Sequence, residues 1–339
     1  MPENPNIPMH NRDFIHRAPA RYFPLEKGLY EVAPGLRPWG TDLGNGSADS
    51  HVFQLDREFP RYRENKQRCR AENLKKYFLT HDFSPELEQA VSRWMVGRLT
   101  QEHPELFLFS DGTLECRLTD EKLHFEADFT LKNTNSPHPY KSALDALAMQ
   151  VQEDIAIMRL REDGSDLLTA IHLCSPNHWG ASEKIGRDFI AIHKPVAGIE
   201  KINASARSLT QAMVTRGPYV RFAWGIATDN RLNHHPDAPP GISPHDWQGR
   251  SFEAASGLAP GEPPLYVRFE RQVLWGIPDQ RAFVFTIRSY FLDGAAIKSS
   301  PGERALLRSA LLSMTPESLA YKGLTDSLPA ILSWLEQVE

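Results

Sequence analysis

The sequence predicts an α+β fold, and three observations predict it. Helix-periodic segments and strand-like apolar runs both occur, they do not alternate strictly, and the last three strand candidates follow one another before a helical tail. The 339 residues are 41% hydrophobic and 24% charged, a composition that supports a buried core, and 38 Lys+Arg against 43 Asp+Glu leave a net charge of -5. Without a long basic run, nucleic acid is not expected as a partner. Apolar runs such as Ala282 to Ile287 are far shorter than the roughly 20 residues of a bilayer span, so no membrane segment is expected. The start, MPENPNIPMHNRDF, lacks the apolar core of a signal peptide, and a cytoplasmic location is expected. Cys69, Cys116 and Cys174 form no CxxC, so no iron–sulfur cluster or Cys-rich zinc site is expected within this chain.

Residues 1 to about 83 are rich in Pro, Gly and Arg and read as an irregular arm, with a turn at Gly35-Leu36-Arg37-Pro38-Trp39 carrying a buried aromatic. Ser84-Pro85 is an N-cap and first-turn proline, and Leu87, Val91 and Trp94 continue at helical spacing, predicting a helix over about 85–102. Strands are predicted at 113–118 and 123–131 around a hairpin at 119–122. Leu144, Leu147, Val151, Ile155 and Met158 fall at steps of three and four and predict an amphipathic helix over 141–161. A short strand at 167–174 follows, then helices at 183–194 and about 199–213, the latter stopped by Gly217-Pro218. Strands are predicted at 219–227, 265–275 and 282–292, with a Pro- and His-rich excursion before the second. Ser300-x-x-Glu303 reads as a capping box and Thr315-Pro316 as a second cap in the tail. The organisation expected is an arm and helix (1–105), a sheet unit (106–295) and a helical tail (296–339). Helices inserted between the second strand and the last three match the outline of a PAS-type domain, whose helical side encloses a ligand.

The segment Ser175 to Val196 carries the first chemical signal. His193 closes the apolar run Phe189-Ile190-Ala191-Ile192, and Lys194-Pro195 turns the chain, because the residue before a proline is pushed out of the helical region. An imidazole at a helix end against an apolar wall suits a haem axial ligand, a neutral donor whose other nitrogen bonds a backbone carbonyl. From these residues alone, a core histidine satisfied by backbone groups is the commoner reading. His178 in the same segment is the rival, whereas His172 and His234-His235 lack the spacing of a metal triad. No GxGxxG, P-loop, GxSxG or HExxH pattern occurs, which removes dinucleotide, nucleotide-triphosphate, serine-hydrolase and zincin readings.

Alternation in the strand 265–275 puts Arg271 on one face with Leu265, Val267, Phe269, Val273 and Trp275, a cation among apolar neighbours. Such an Arg needs an anion, either an acidic group of a cofactor or a structural carboxylate. Glu270 points to the opposite face beside Arg268 and Gln272. Arg221 and Arg288 repeat the theme of one Arg in an apolar strand, which a solvated sheet face also produces.

Taken together, the chain resembles the haem-binding α subunit of the haem-dependent oxidative N-demethylases. The resemblance is carried by Gly35-Leu36-Arg37-Pro38, Val151-Gln152-Glu153-Asp154, Glu183-Lys184-Ile185-Gly186 leading to Ile192-His193-Lys194-Pro195-Val196, Arg221 with Trp224, Arg268-Phe269-Glu270-Arg271-Gln272 and Phe285-Thr286-Ile287-Arg288. These pieces run in the family's order over residues 35–288. The resemblance implies haem b in a PAS-like antiparallel sheet with helices around the pocket, and oxygen-dependent oxidation of a small secondary amine. It also implies partner subunits: a reductase carrying FMN and a 2Fe-2S centre, and a subunit binding tetrahydrofolate. His193 is then the expected axial ligand of the haem iron. From charge and strand face, Arg221 and Glu270 are the catalytic candidates, and Arg271 and Arg288 join His193 as cofactor-binding candidates.

The expected reaction converts dimethylamine, or a similar amine, to methylamine and formaldehyde with O2 and two electrons originating from NADPH. Arg221 or Arg271 would stabilise the negative charge that develops as oxygen is activated, and Glu270 would hold the substrate cation. The alternative is a haem PAS gas or redox sensor acting through a separate partner, and a third reading is an assembly module without haem.

Overall fold

The computed structural model describes residues 16–258, 261 and 263–337, and within them two antiparallel sheets are flanked by helices. The arm contributes a two-residue strand, β1 (Arg37–Pro38), and a long helix, α1 (Phe59–Tyr77). The irregular arm expected there is therefore corrected. α1 escapes sequence reading because its buried face is carried by Tyr62, Lys66, Cys69 and Tyr77 rather than by an aliphatic stripe. The Lys66 ammonium reaches inward and donates to the carbonyls of Ala148, Val151 and Glu153 at 2.6–2.9 Å. β2 (Phe78–Thr80) precedes α2 (Pro85–Glu102), where Ser84 caps Leu87 N as its sequence predicts.

A small sheet follows, β3 (Phe107–Ser110), β4 (Thr113–Cys116), β5 (Glu121–Phe125) and β6 (Leu131–Thr134), paired in chain order. Next come α3 (Ala143–Ala148), β7 (Asp154–Leu160) and β8 (Asp166–His172). The helix expected over 141–161 thus ends early and becomes a strand. β7 pairs with strands on both sides and is buried on both faces, so its apolar run is continuous. Such a run cannot be told from a helix by periodicity alone. α4 (Phe189–His193), α5 (Glu200–Asn203) and α6 (Ala206–Thr215) then lead to β9 (Tyr219–Ala227). The excursion holds α7 (Pro244–Gln248) and α8 (Phe252–Ser256) before the long pair β10 (Tyr266–Ile277) and β11 (Ala282–Asp293). The tail is α9 (Gly294–Ser299), α10 (Pro301–Leu312), α11 (Pro316–Tyr321) and α12 (Leu328–Glu336). Thr315 caps α11, but the expected capping box at α10 is absent: Ser300 makes no capping bond, and Glu303 pairs with Arg21 instead.

The large sheet has the order β1-β9-β10-β11-β7-β8-β2, so the hairpin expected at 113–131 lies in the separate small sheet. Register through β9, β10 and β11 is unbroken, and side chains alternate strictly between two covered faces. One face, with Val220, Val273, Val284, Ile155 and Ile157, packs on α2 and α3. The other, with Leu274, Phe283, Ala156, Met158 and Ile171, packs on α4 and α6. No described helix is long and apolar enough to cross a membrane.

α6 crosses β10 where Gly276 leaves room: a Cβ there would lie 2.1 Å from the Val214 carbonyl oxygen. Backbone on both sides prevents relief, so Gly276→Ala is expected to cost at least about 1–3 kcal/mol by overpacking. Urea unfolding of the variant checks this, and a midpoint equal to wild type would contradict the close approach.

Candidate functional site

The segment 175–193 runs over the α6 face of the large sheet and ends in α4. Asp188 caps α4 by accepting from Ala191 N at 2.7 Å, and the helix stops at His193 before Lys194-Pro195. His193 Nδ1 lies 2.8 Å from the Phe189 carbonyl oxygen, which can only accept, so Nδ1 carries the proton and the Nε2 lone pair is left free. The Phe189 ring packs 4.2 Å from the imidazole, centre to centre. Burial pushes the His193 pKa down to about 4, and the nearby charges of Lys184 and Arg221 act in the same direction against the Phe189 bond. His193 is therefore a neutral donor at physiological pH.

Beneath this segment the sheet presents Arg221 on β9 directly across from Gln272 on β10, with Glu270 two residues along on the same face. Ala223, Glu270 and Phe285 are only half-buried although β10 and β11 are interior strands, so a stretch of this face is left uncovered. Two atoms there are sealed from solvent with no hydrogen-bond partner, Arg221 Nε and Gln272 Oε1. Gln272 Nε2 donates to Glu270 at 2.7 Å. Glu270 is the carboxylate that Arg221, Lys184, Arg268 and Lys322 all sense. Burial lowers all four cations; Lys184 falls to about 8 while its ammonium sits 3.8 Å from the centre of the Trp179 ring. Among the described residues Lys184, Arg221 and Lys322 make no ion pair.

Of the residues singled out by sequence, His193, Arg221 and Glu270 lie on this side of the sheet. Arg271 and Arg288 lie on the other. Arg271 donates to the carbonyls of Asp49 and His51 at 3.3 and 3.0 Å and stacks near Tyr22 and Trp39. Arg288 is held 2.7 Å from Asp56 and also bonds the Gln54 carbonyl. Both guanidinium groups are thus engaged by the segment 49–56 rather than facing His193. His178 stacks on His234 at 5.3 Å, and His234 is fixed between Arg268 at 2.5 Å and Asp229 at 2.7 Å. Sequence reading missed Lys184, Gln272 and Lys322 as parts of the site. Gln272 was legible in principle, since alternation already placed it beside Glu270.

This arrangement offers one unengaged imidazole nitrogen, an apolar wall from Phe189, Ile192 and Phe285, and more positive than negative charge. No three His, Cys, Asp or Glu side chains converge as a metal site among the described residues. A single neutral imidazole facing a partly apolar, cation-rimmed space fits a planar metal-bearing cofactor with acidic substituents. The family model described as haem-dependent oxidative N-demethylase, alpha subunit-like, matches residues 45–332, which include His193, the whole α6 face and most of the tail. Its name denotes an oxidoreductase that depends on haem and works with other subunits. By a match over most of its length, the chain belongs to the haem-dependent oxidative N-demethylase alpha-subunit-like family.

Proposed function

We propose that this chain is the haem-carrying subunit of an oxygen-dependent amine N-demethylase, holding haem b between α4 and the α6 face with His193 Nε2 as axial ligand. The observation that carries the reading is the His193 geometry: neutral, oriented by the Phe189 carbonyl, with its second nitrogen free. The strand order β8-β7-β11-β10-β9, with α4 to α6 inserted between β8 and β9, supports a PAS-like unit around that pocket. When bound, haem supplies oxygen activation and a reservoir for electrons.

The chain's own residues bind and orient. Arg221, with an unpartnered Nε beside Gln272, places a fixed cation where negative charge develops. Glu270 attracts the protonated amine, and Gln272 holds its carboxylate in place. Dimethylamine, O2, two electrons and two protons then give methylamine, formaldehyde and water. The electrons come from NADPH through partner subunits with FMN and a 2Fe-2S centre, and a tetrahydrofolate-binding subunit accepts the formaldehyde. The isolated chain is accordingly inert towards NADPH.

The test is the yield of formaldehyde from dimethylamine and O2 with reduced partner, alongside amine affinity read from the haem spectrum. Glu270→Gln is expected to weaken dimethylamine binding by about 2 kcal/mol, roughly thirtyfold, the lower end for a charge partner because Glu270 is half-buried. An affinity within about twofold of wild type, about 0.4 kcal/mol, would make Glu270 structural. Absence of amine-dependent formaldehyde would remove the proposed reaction.

A further inference from the structure

Lys322 follows α11 in the C-terminal tail, a region whose sequence carries no chemical motif. The tail is pinned by Leu324, Ile331 and Leu335, which pack with Leu265 and Val267 on the α2 side of β10. From there Lys322 reaches around the outer strand β9, which β1 covers only at Tyr219 and Val220. Its ammonium donates to the Trp224 carbonyl at 3.0 Å and lies 3.8 Å from where a Gly225 Cβ would stand. Gly225 has the parity of Arg221 and Ala223, so that Cβ direction is the α6 face. Lys322 therefore holds its charge at the outer edge of β9, with the centre of the Tyr30 ring 5.9 Å away on one side and the Gly225 position opening to the α6 face on the other, where Glu270 acts on it.

The charge balance is uneven. Arg268 is already satisfied by His234, two carbonyls and Ser289. Arg221, Lys184 and Lys322 make no ion pair among the described residues: Glu270 acts on all three and Glu183 acts on Lys184 from an exposed position, so positive charge is in excess on this face. Burying unpaired charge is costly, so an arrangement of this kind is stabilised by an anionic ligand. The carboxylates of a haem supply negative charge of this kind.

We propose that Lys322 is a carboxylate anchor for the cofactor, so that the C-terminal tail forms a wall of the pocket and is tightened when the cofactor binds. The inference rests on the haem reading above and assigns a residue and a segment to it. Burial of the ammonium, which lowers its pKa while Glu270 acts against the shift, agrees with a site that lacks its full complement of negative charge.

The test titrates the full chain with haemin and with haemin dimethyl ester, which keeps the macrocycle and iron but loses both carboxylates. Wild type is expected to bind haemin at least about tenfold more tightly than the ester. Lys322→Met should lose about fivefold or more for haemin with ester affinity unchanged, and Lys322→Arg should retain the preference. Amide hydrogen exchange in 316–321 should slow on haemin binding in wild type and not in Lys322→Met. Equal loss for both porphyrins, loss for neither, or a wild type that does not discriminate between them overturns the anchor while leaving haem binding standing. A wild type that takes up neither porphyrin overturns the haem reading, and the anchor with it.

Discussion

His193→Gly is expected to lower haem affinity by at least about a hundredfold, about 2.8 kcal/mol, and to move the Soret band, because on the proposed ligation it removes the protein nitrogen that would hold the iron. Added imidazole should restore the wild-type spectrum by filling the vacated volume beside Phe189. The rescue separates ligation from folding, since His193 lies at the end of a five-residue helix whose cap, Asp188, is untouched. His178→Ala serves as the comparison. If that variant loses haem while His193→Gly keeps a wild-type spectrum, the ligand is the histidine stacked on His234.

Arg288→Met is expected to destabilise the fold by about 3–5 kcal/mol while the surviving folded protein still binds haem. Arg288 and Asp56 are 1% and 5% exposed and 2.7 Å apart, so removing the cation strands a buried carboxylate. The loss extends beyond the pair, because Asp56 also accepts from Gln152 Nε2 at 3.3 Å and Glu58 N at 2.9 Å. Replacing both partners, Arg288→Met with Asp56→Leu, should recover part of the loss, as apolar substitution of a whole buried pair often does. Denaturant midpoints measure the effect. A stable Arg288→Met protein that has lost haem would assign Arg288 to the cofactor and contradict its placement on the α2 face.

That placement shows what was legible in the sequence and what was not. Alternation in β10 separates Glu270 from Arg271 in sequence and in structure alike, because a long strand without a bulge keeps its period of two. Which face bears the candidate site was not legible: it depends on α4 and α6 covering the Leu274 and Phe283 end of one face while Glu270 stays half-buried, and on 49–56 packing over Arg271. His193 stood out through Pro195 and the apolar run before it, both local signals. Lys322 had none, since its partner carbonyl is 98 residues away and a lysine in a polar helix terminus is ordinarily solvated. β7 was misread as helix because Leu144, Leu147 and Val151 do follow helical spacing, and the switch to a strand comes from pairing with β8 and β11. α1 was missed because a lysine satisfied by three carbonyls leaves no apolar trace.

The visible spectrum of the haemin-loaded chain during titration with dimethylamine tests the central claim most directly. The pocket described by His193, Arg221 and Glu270 predicts a Soret band of nitrogen-ligated haem and a saturable shift as the amine enters beside it. A chain that forms no stable haem complex, or a complex whose spectrum is indifferent to the amine, would contradict a demethylase site on the α6 face.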